Sequence, residues 1–326
     1  MLVSTLSIQT NQPKKIEMKK EDTKSDSEAP ARVHRFVSDD LTVRVAAVDA
    51  SAVVREMQEI QTAMPLATLG VGRAMVASLL MSSHLKEGQE VGLLFRGKGP
   101  LGSIYAEASF EGHVRGYCPN PFYQAPNIQD LLKVGKALGG GTLSVSRHQP
   151  FQRQPFHGTV ELVSGEIGDD IAHYLAQSHQ IRSLVSLGVY LGENSEVLAA
   201  GGVLIEVMPG VEDEIVDILV KNHESTQVNI SKRLAEGATV TDLVKPFLQG
   251  IPFTEIPHEK PIRYYCPCTV ERVKGALTLL GVEELGSMVA EGQPAQITCQ
   301  ICGRKYEVPV DELNELKETL RKNSMH

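Results

Sequence analysis

Four of the five cysteines in this 326-residue chain fall into two close pairs near the C-terminal end, Cys266-Pro267-Cys268 and Cys299-Gln300-Ile301-Cys302. Four thiols so arranged can donate four thiolates to one tetrahedral Zn²⁺, or close into two short-range disulfides. If the first pair is extended, both of its sulfurs point to one face and can chelate a single ion. Pro267 fixes φ between them and reduces the entropy lost on binding. Gly303 follows the second pair, where the chain must turn tightly behind its last ligand. Arg263, Arg304 and Lys305 lie beside the thiols and would offset the charge of a tetrathiolate. A lone C-x-x-C is a weak signal. Joined to a C-x-C in one short segment it is a strong one for zinc. Zn²⁺ is therefore the expected cofactor, with Cys266, Cys268, Cys299 and Cys302 as its ligands. Such a site leaves no coordination position open for substrate, so no catalytic residues and no enzyme are expected. The N-terminal stretch has no secretory signal, and a reducing compartment disfavours a static disulfide framework.

These cysteines need elements to hold them. Residues 262–326 read as a C-terminal module. Val270, Val273, Leu277 and Leu280 give one helix, and Gly281 to Val289 a second. Gln296-Ile297-Thr298 and Lys305 to Val308 should pair as a hairpin around the second cysteine pair. A last helix follows Pro309, with Leu316 and Leu320 on its inner face. About 65 residues rarely build a sufficient core, and a metal staple is the common remedy. Residues 210–261 carry three short helical patterns: Val211 to Leu219, one around Leu234, and Leu243 to Leu248. Five Lys/Arg face nine Asp/Glu there. Helices this short are marginal without tertiary packing, so the segment reads as a linker that folds only while its apolar face is covered.

Residues 36–209 read as an α+β body. Strands are expected at Leu41–Val48, Glu90–Gly97 with Gly102–Ala108, His113–Cys118, Gly140–Ser146, Thr159–Val163, and Leu184–Leu191 with Val197–Met208. Val53, Met57 and Ile60 mark one helix, Leu66 to Leu85 a buried one, and Ile167 to Ser178 a third. That order predicts one mainly antiparallel sheet with helices packed on it. Residues 1–35 are poor in large apolar side chains and read as a disordered tail. The first 16 residues of that tail contain no acid, as in an import peptide. Glu17, Glu21, Asp22, Asp26 and Glu28 follow, and the expectation is a cytoplasmic protein.

Composition narrows the function. The net charge is −8, aromatic residues make up 5% and tryptophan is absent. Neither the chain nor its cysteine-bearing segment, with eight Lys/Arg against nine Asp/Glu, has the basic footprint of a nucleic-acid binder. No run of about 18 apolar residues predicts a membrane span. Gly139-Gly140-Gly141 precede a strand with no following Lys-Ser/Thr, so they read as a turn rather than a phosphate loop. His148, His157 and His173 have no nucleophile motif near them. Cys118 stands alone and reads as a small buried apolar residue.

The cysteine arrangement resembles that of the redox-regulated thirty-three-kilodalton heat-shock protein family of holdase chaperones. So do Arg115-Gly116-Tyr117-Cys118-Pro119-Asn120-Pro121, Gly158-Thr159-Val160-Glu161-Leu162 and the run from Ala200 to Pro209. A valine is more usual in place of Cys118. The resemblance covers the chain from about residue 36 onward. It implies zinc on Cys266, Cys268, Cys299 and Cys302 when reduced, and disulfides Cys266–Cys268 and Cys299–Cys302 after oxidation and zinc release. It further implies that the linker uncovers a surface for unfolding client proteins, and that the active form is a homodimer. Two other functions stay open at this point. A thiol–disulfide oxidoreductase would place C-x-x-C at a helix N-terminus, whereas a strand-like run follows Gly303 here. A zinc-containing adaptor would keep its metal as a purely structural staple.

Overall fold

The computed structural model describes residues 30–152, 155–226, 229–258 and 260–323. The body opens with β1 (Val33–Ser38), β2 (Val43–Asp49), α1 (Ser51–Gln61) and α2 (Pro65–Ser82). Next come β3 (Glu90–Gly97), β4 (Ser103–Ser109), β5 (His113–Tyr117), α3 (Val134–Leu138), β6 (Gly141–His148) and β7 (Phe156–Glu161). The helix α4 (Gly168–His179) leads to the long pair β8 (Ser183–Leu191) and β9 (Val197–Val207). Then come α5 (Asp213–Thr226), α6 (Ile230–Ala235), α7 (Val240–Val244), β10 (Phe253–Ile256) and β11 (Arg263–Tyr264). The chain ends in α8 (Val270–Thr278), α9 (Gly281–Glu291), β12 (Ala295–Thr298), β13 (Lys305–Val308) and α10 (Val310–Asn323).

The α+β class is as expected, but the body has two sheets rather than one. A five-stranded antiparallel sheet runs β10-β1-β2-β9-β8, and a six-stranded sheet runs β11-β5-β4-β3-β6-β7. The reason lies in α2. Its apolar residues face every direction, so it must be covered all round, and it packs against strands of both sheets. By length and composition α2 is apolar enough to cross a membrane, yet 94% of that stretch is buried inside the fold. It is the centre of the main core, with Leu66, Leu69, Met75, Leu79 and Leu80 almost wholly enclosed.

Residues 1–29 lie outside the described residues. The expected tail boundary at 35 is moved by β1, which begins at Val33. Val33 and Phe36 are buried, while His34 and Arg35 between them hide the strand from a composition reading. The strand β2 is buried on both faces. Ala46 and Val48 join the core around α2, while Val43, Val45 and Ala47 face the other way. There they meet Leu219, Ile230, Leu243, Val244, Phe247 and Leu248 from α5, α6, α7 and the turn after them. The three linker helices thus cover one apolar face of the five-stranded sheet. Buried Asn222 ties α5 to the end of this cover by donating to the carbonyls of Phe247 (2.9 Å) and Gln249 (2.8 Å). The linker does not stay helical to its end: Phe253–Ile256 becomes β10 and pairs with β1. The C-terminal segment has its own small core of Leu277, Leu285, Ala295, Val308 and Leu313. Its hairpin pairs Ala295–Thr298 with Lys305–Val308, and Leu316 and Leu320 of α10 pack inward, all as the sequence pattern predicts.

Candidate metal centre

Each cysteine pair is delivered by a strand. The first follows β11, which joins the edge of β5 in parallel, Arg263 opposite His113 and Tyr264 opposite Val114. The backbone N–H of Arg263 donates to the Gly112 carbonyl (2.9 Å) and that of Tyr265 to the Val114 carbonyl (3.0 Å). Gly112 has φ +83°, and a Cβ there would lie 2.4 Å from the Pro261 carbonyl oxygen, so only glycine lets the strand approach. The second pair sits in the turn between β12 and β13. Cys299 N–H donates to the Arg304 carbonyl and Gly303 N–H to the Cys299 carbonyl, both at 2.8 Å, with Gly303 at φ +68°.

The result brings all four predicted residues together. The Sγ atoms of Cys266, Cys268, Cys299 and Cys302 lie within 4.8 Å of one another. Two cross-pair separations are 3.9 Å (Cys266–Cys299) and 3.1 Å (Cys268–Cys302). A tetrahedron of thiolates about 2.3 Å from a zinc ion has S–S edges of about 3.8 Å, so the cluster has the size such an ion needs. An all-sulfur donor set is compatible with Zn²⁺. All five cysteines stand as free thiols.

The surroundings treat the thiols unequally. Burial pushes Cys266 up, against backbone N–H and Arg115 donors that pull it down. Cys266 is 4% exposed, and Arg115 Nη1 lies 3.7 Å from its Sγ. Burial also acts on Cys268, but hydrogen bonds from Tyr306 and the neighbouring thiols outweigh it and bring it down to about 7. The Tyr306 hydroxyl is 2.9 Å from both the Sγ and the carbonyl oxygen of Cys268. Burial raises Cys302 to about 12. Arg304 reaches the Cys268 carbonyl at 3.5 Å. Arg263 and Lys305, also expected to serve the thiols, are exposed.

The residues that sequence reading missed come mostly from the body. Arg115 on β5 is held 3.0 Å from Glu107, which also accepts from the Tyr105 hydroxyl. Gln61 at the end of α1 donates to the Gly116 carbonyl (2.7 Å) and reaches Tyr264 Oη (3.2 Å) and the Ile301 carbonyl (3.4 Å). Tyr264 donates to that same carbonyl at 2.6 Å. The turn bearing Cys299 and Cys302 is thereby hooked onto the body. A cavity of about 240 Å³ beside it is lined by Ile60, Gln61, Cys118, Phe122, Cys299 and Gln300. Cys118 is 3% exposed and burial raises its thiol to about 11, the setting of a packed rather than a reactive cysteine.

The model of the Hsp33 protein family matches residues 31–309. This chain belongs to the Hsp33 family. The "33 kDa chaperonin" of Synechococcus elongatus is 41% identical over 255 residues, 77% of this chain and 85% of that protein. That of Nostoc punctiforme is 36% identical over 285 residues, 86% of this chain and 94% of that protein. The crystal structure of the 33 kDa chaperonin of Thermotoga maritima superposes with a TM-score of 0.79 at 31% identity, covering 90% of this chain and all of that one. Hsp33 proteins are a chaperone family rather than an enzyme family.

Proposed function

We propose that this chain is an ATP-independent holdase, kept inactive by Zn²⁺ on Cys266, Cys268, Cys299 and Cys302 and activated by oxidation. The observation that carries the reading is the pairing of a four-thiol cluster with a helical cover over an apolar sheet face. Bound metal would supply folding free energy to a segment whose own core is five buried side chains. Structural zinc contributes roughly 10–16 kcal/mol of apparent binding energy. That compares with about 5–15 kcal/mol for the stability of a whole domain.

Oxidation removes the donors. A peroxide oxygen is taken by one thiolate to give a sulfenic acid, and the second thiolate of the pair displaces it as water. Two sulfurs each lose one electron as the S–S bond forms, and the peroxide, with two protons, leaves as two waters. The expected products are Cys266–Cys268 and Cys299–Cys302. The segment 262–326 then loses its fold, the linker 210–261 loosens from the body 36–209, and Val43, Val45, Val203 and Ile205 become available to unfolding proteins. The active form is a cytoplasmic homodimer that binds neither nucleic acid nor membrane. An oxidoreductase role is not favoured, because Cys299 and Cys302 lie in a hairpin turn and not at a helix N-terminus.

One titration tests this. Zinc release, free-thiol count and suppression of aggregation of a denatured client are followed together under peroxide and mild heat. The three should change in step. A reduced chain without stoichiometric zinc, or client protection equal before and after oxidation, would refute it.

A further inference from the structure

The six-stranded sheet is antiparallel except at one edge, where β11 adds two residues in parallel to β5. This strand is borrowed from the segment that carries the cysteines. Pro261–Tyr265 lies in a cradle with backbone on both sides. On one side Ile262 N–H donates to the Ala31 carbonyl (2.8 Å) and Pro261 bridges Arg32. On the other side the carbonyls of Gly112 and Val114 accept from Arg263 and Tyr265. Side chains alternate as in any strand. Ile262 is 8% exposed and belongs to the main core, Arg263 points to solvent, and Tyr264 packs against that core again. Next to this seat Lys260 covers the Phe110 ring at 5.2 Å, and Tyr265 lies over His113 with ring centroids 4.4 Å apart.

The Tyr264 hydroxyl of the seated segment is fixed by the Ile301 carbonyl, inside the turn that the cysteines close. When that turn unfolds this anchor goes with it, and Cys266 is only two residues further along. What then holds this strand of two paired residues is its bonds to Gly112, Val114 and Ala31, the packing of Ile262 and the Gln61 contact to Tyr264, against the pull of an unfolded segment. Departure of the strand bares the β5 edge, two apolar subsites at alternate positions, and the Phe110 and His113 rings. Unpaired strand edges bind extended chain through the main chain, and alternate side-chain pockets select it.

We propose that the β5 edge vacated by β11 docks an extended segment of the unfolding client, with large apolar side chains two residues apart taking the places of Ile262 and Tyr264. In the resting protein β11 fills the site as an internal mimic of the client. The proposal rests on the oxidation-activated reading above.

A fluorescent peptide spanning Lys260 to Tyr265 serves as probe on the full-length chain. It should bind the oxidised, zinc-free protein and not the zinc-bound form, and it should displace a held denatured client. A peptide N-methylated at the Arg263 and Tyr265 nitrogens should bind at least tenfold more weakly, since those two N–H groups make the contact with β5. Gly112→Ala, which crowds the seat, should weaken the unmodified peptide as well. Equal binding to both forms of the protein, equal affinity of the N-methylated peptide, or binding without client displacement would overturn the proposal. So would peptide affinity that falls as chain concentration rises, which would assign the edge to β11 of a second copy. Client holding is read first, without peptide. Its absence after oxidation would refute the activation reading itself and this proposal with it.

Discussion

Tyr306 is the residue through which one thiol is set apart from the others. Its hydroxyl donates to Cys268, the thiol brought down to about 7. Tyr306→Phe removes that donor and leaves the ring. Groups that hydrogen-bond a metal ligand typically change affinity by about 10–100-fold. Zinc affinity should therefore fall about tenfold, measured by competition with a chromophoric chelator under reductant. Cys118→Val is the contrasting change. Its thiol is packed and raised, so zinc stoichiometry should be untouched and stability should change by less than about 1.5 kcal/mol in urea unfolding. The clustering of the four cysteines was legible because their signal is local: two pairs, a proline, a glycine. Arg115, Gln61 and Tyr264 were not, because each acts across a distance that only the fold closes. Arg115 is 151 residues from Cys266 in sequence, and Gln61 is 240 from Ile301. Arg115 lay inside a stretch already singled out for its resemblance, yet nothing in the stretch says which residue it faces.

Elements add charge and cohesion that single residues do not reveal. Glu206 on β9 is 3% exposed and sits 2.8 Å from Arg44 on β2 and 2.7 Å from His84, two residues beyond α2. Burial pushes its carboxyl up, but the hydrogen bonds and charge of His84 and Arg44 outweigh that and bring it down to about 2. The folded value lies below the unfolded one of 4.5, so the stabilisation is complete above pH 4.5 and is lost as pH falls towards 2. Glu206→Gln should cost about 3 kcal/mol at pH 7 and flatten the acid limb of a stability–pH curve. The linker offers a different test. Asn222→Ala breaks both bonds to the end of the helical cover and should cost about 1–3 kcal/mol. The reduced protein should then need less oxidant, or less heat, to suppress client aggregation. The linker helices were readable from their periodicity. The strands β1, β10 and β11 were not, since two to six residues interrupted by His, Arg or Glu become strands only by finding distant partners.

For the whole molecule, α2 and its two sheets form a core to which none of the four clustered cysteines belongs. Chelation of zinc under reductant should therefore unfold the C-terminal segment and leave the body cooperative. Two separated transitions are expected, one abolished by zinc and one indifferent to it, followed by amide exchange and near-ultraviolet dichroism. A single transition shifted as a unit would mean that the hooks at Gln61 and Tyr264 bind the two parts into one. The number of sheets was not foreseeable, since an all-round apolar helix says that it must be covered and not by what. The pairing of β1 with β10 has a further bearing on biogenesis. His34 meets Glu255 across 221 residues of chain. At roughly 5–20 residues per second, a ribosome needs about 10–40 s to supply that partner. Through that interval the nascent polypeptide presents a bare strand border at its leading end, so a protein that shelters others starts life needing shelter itself.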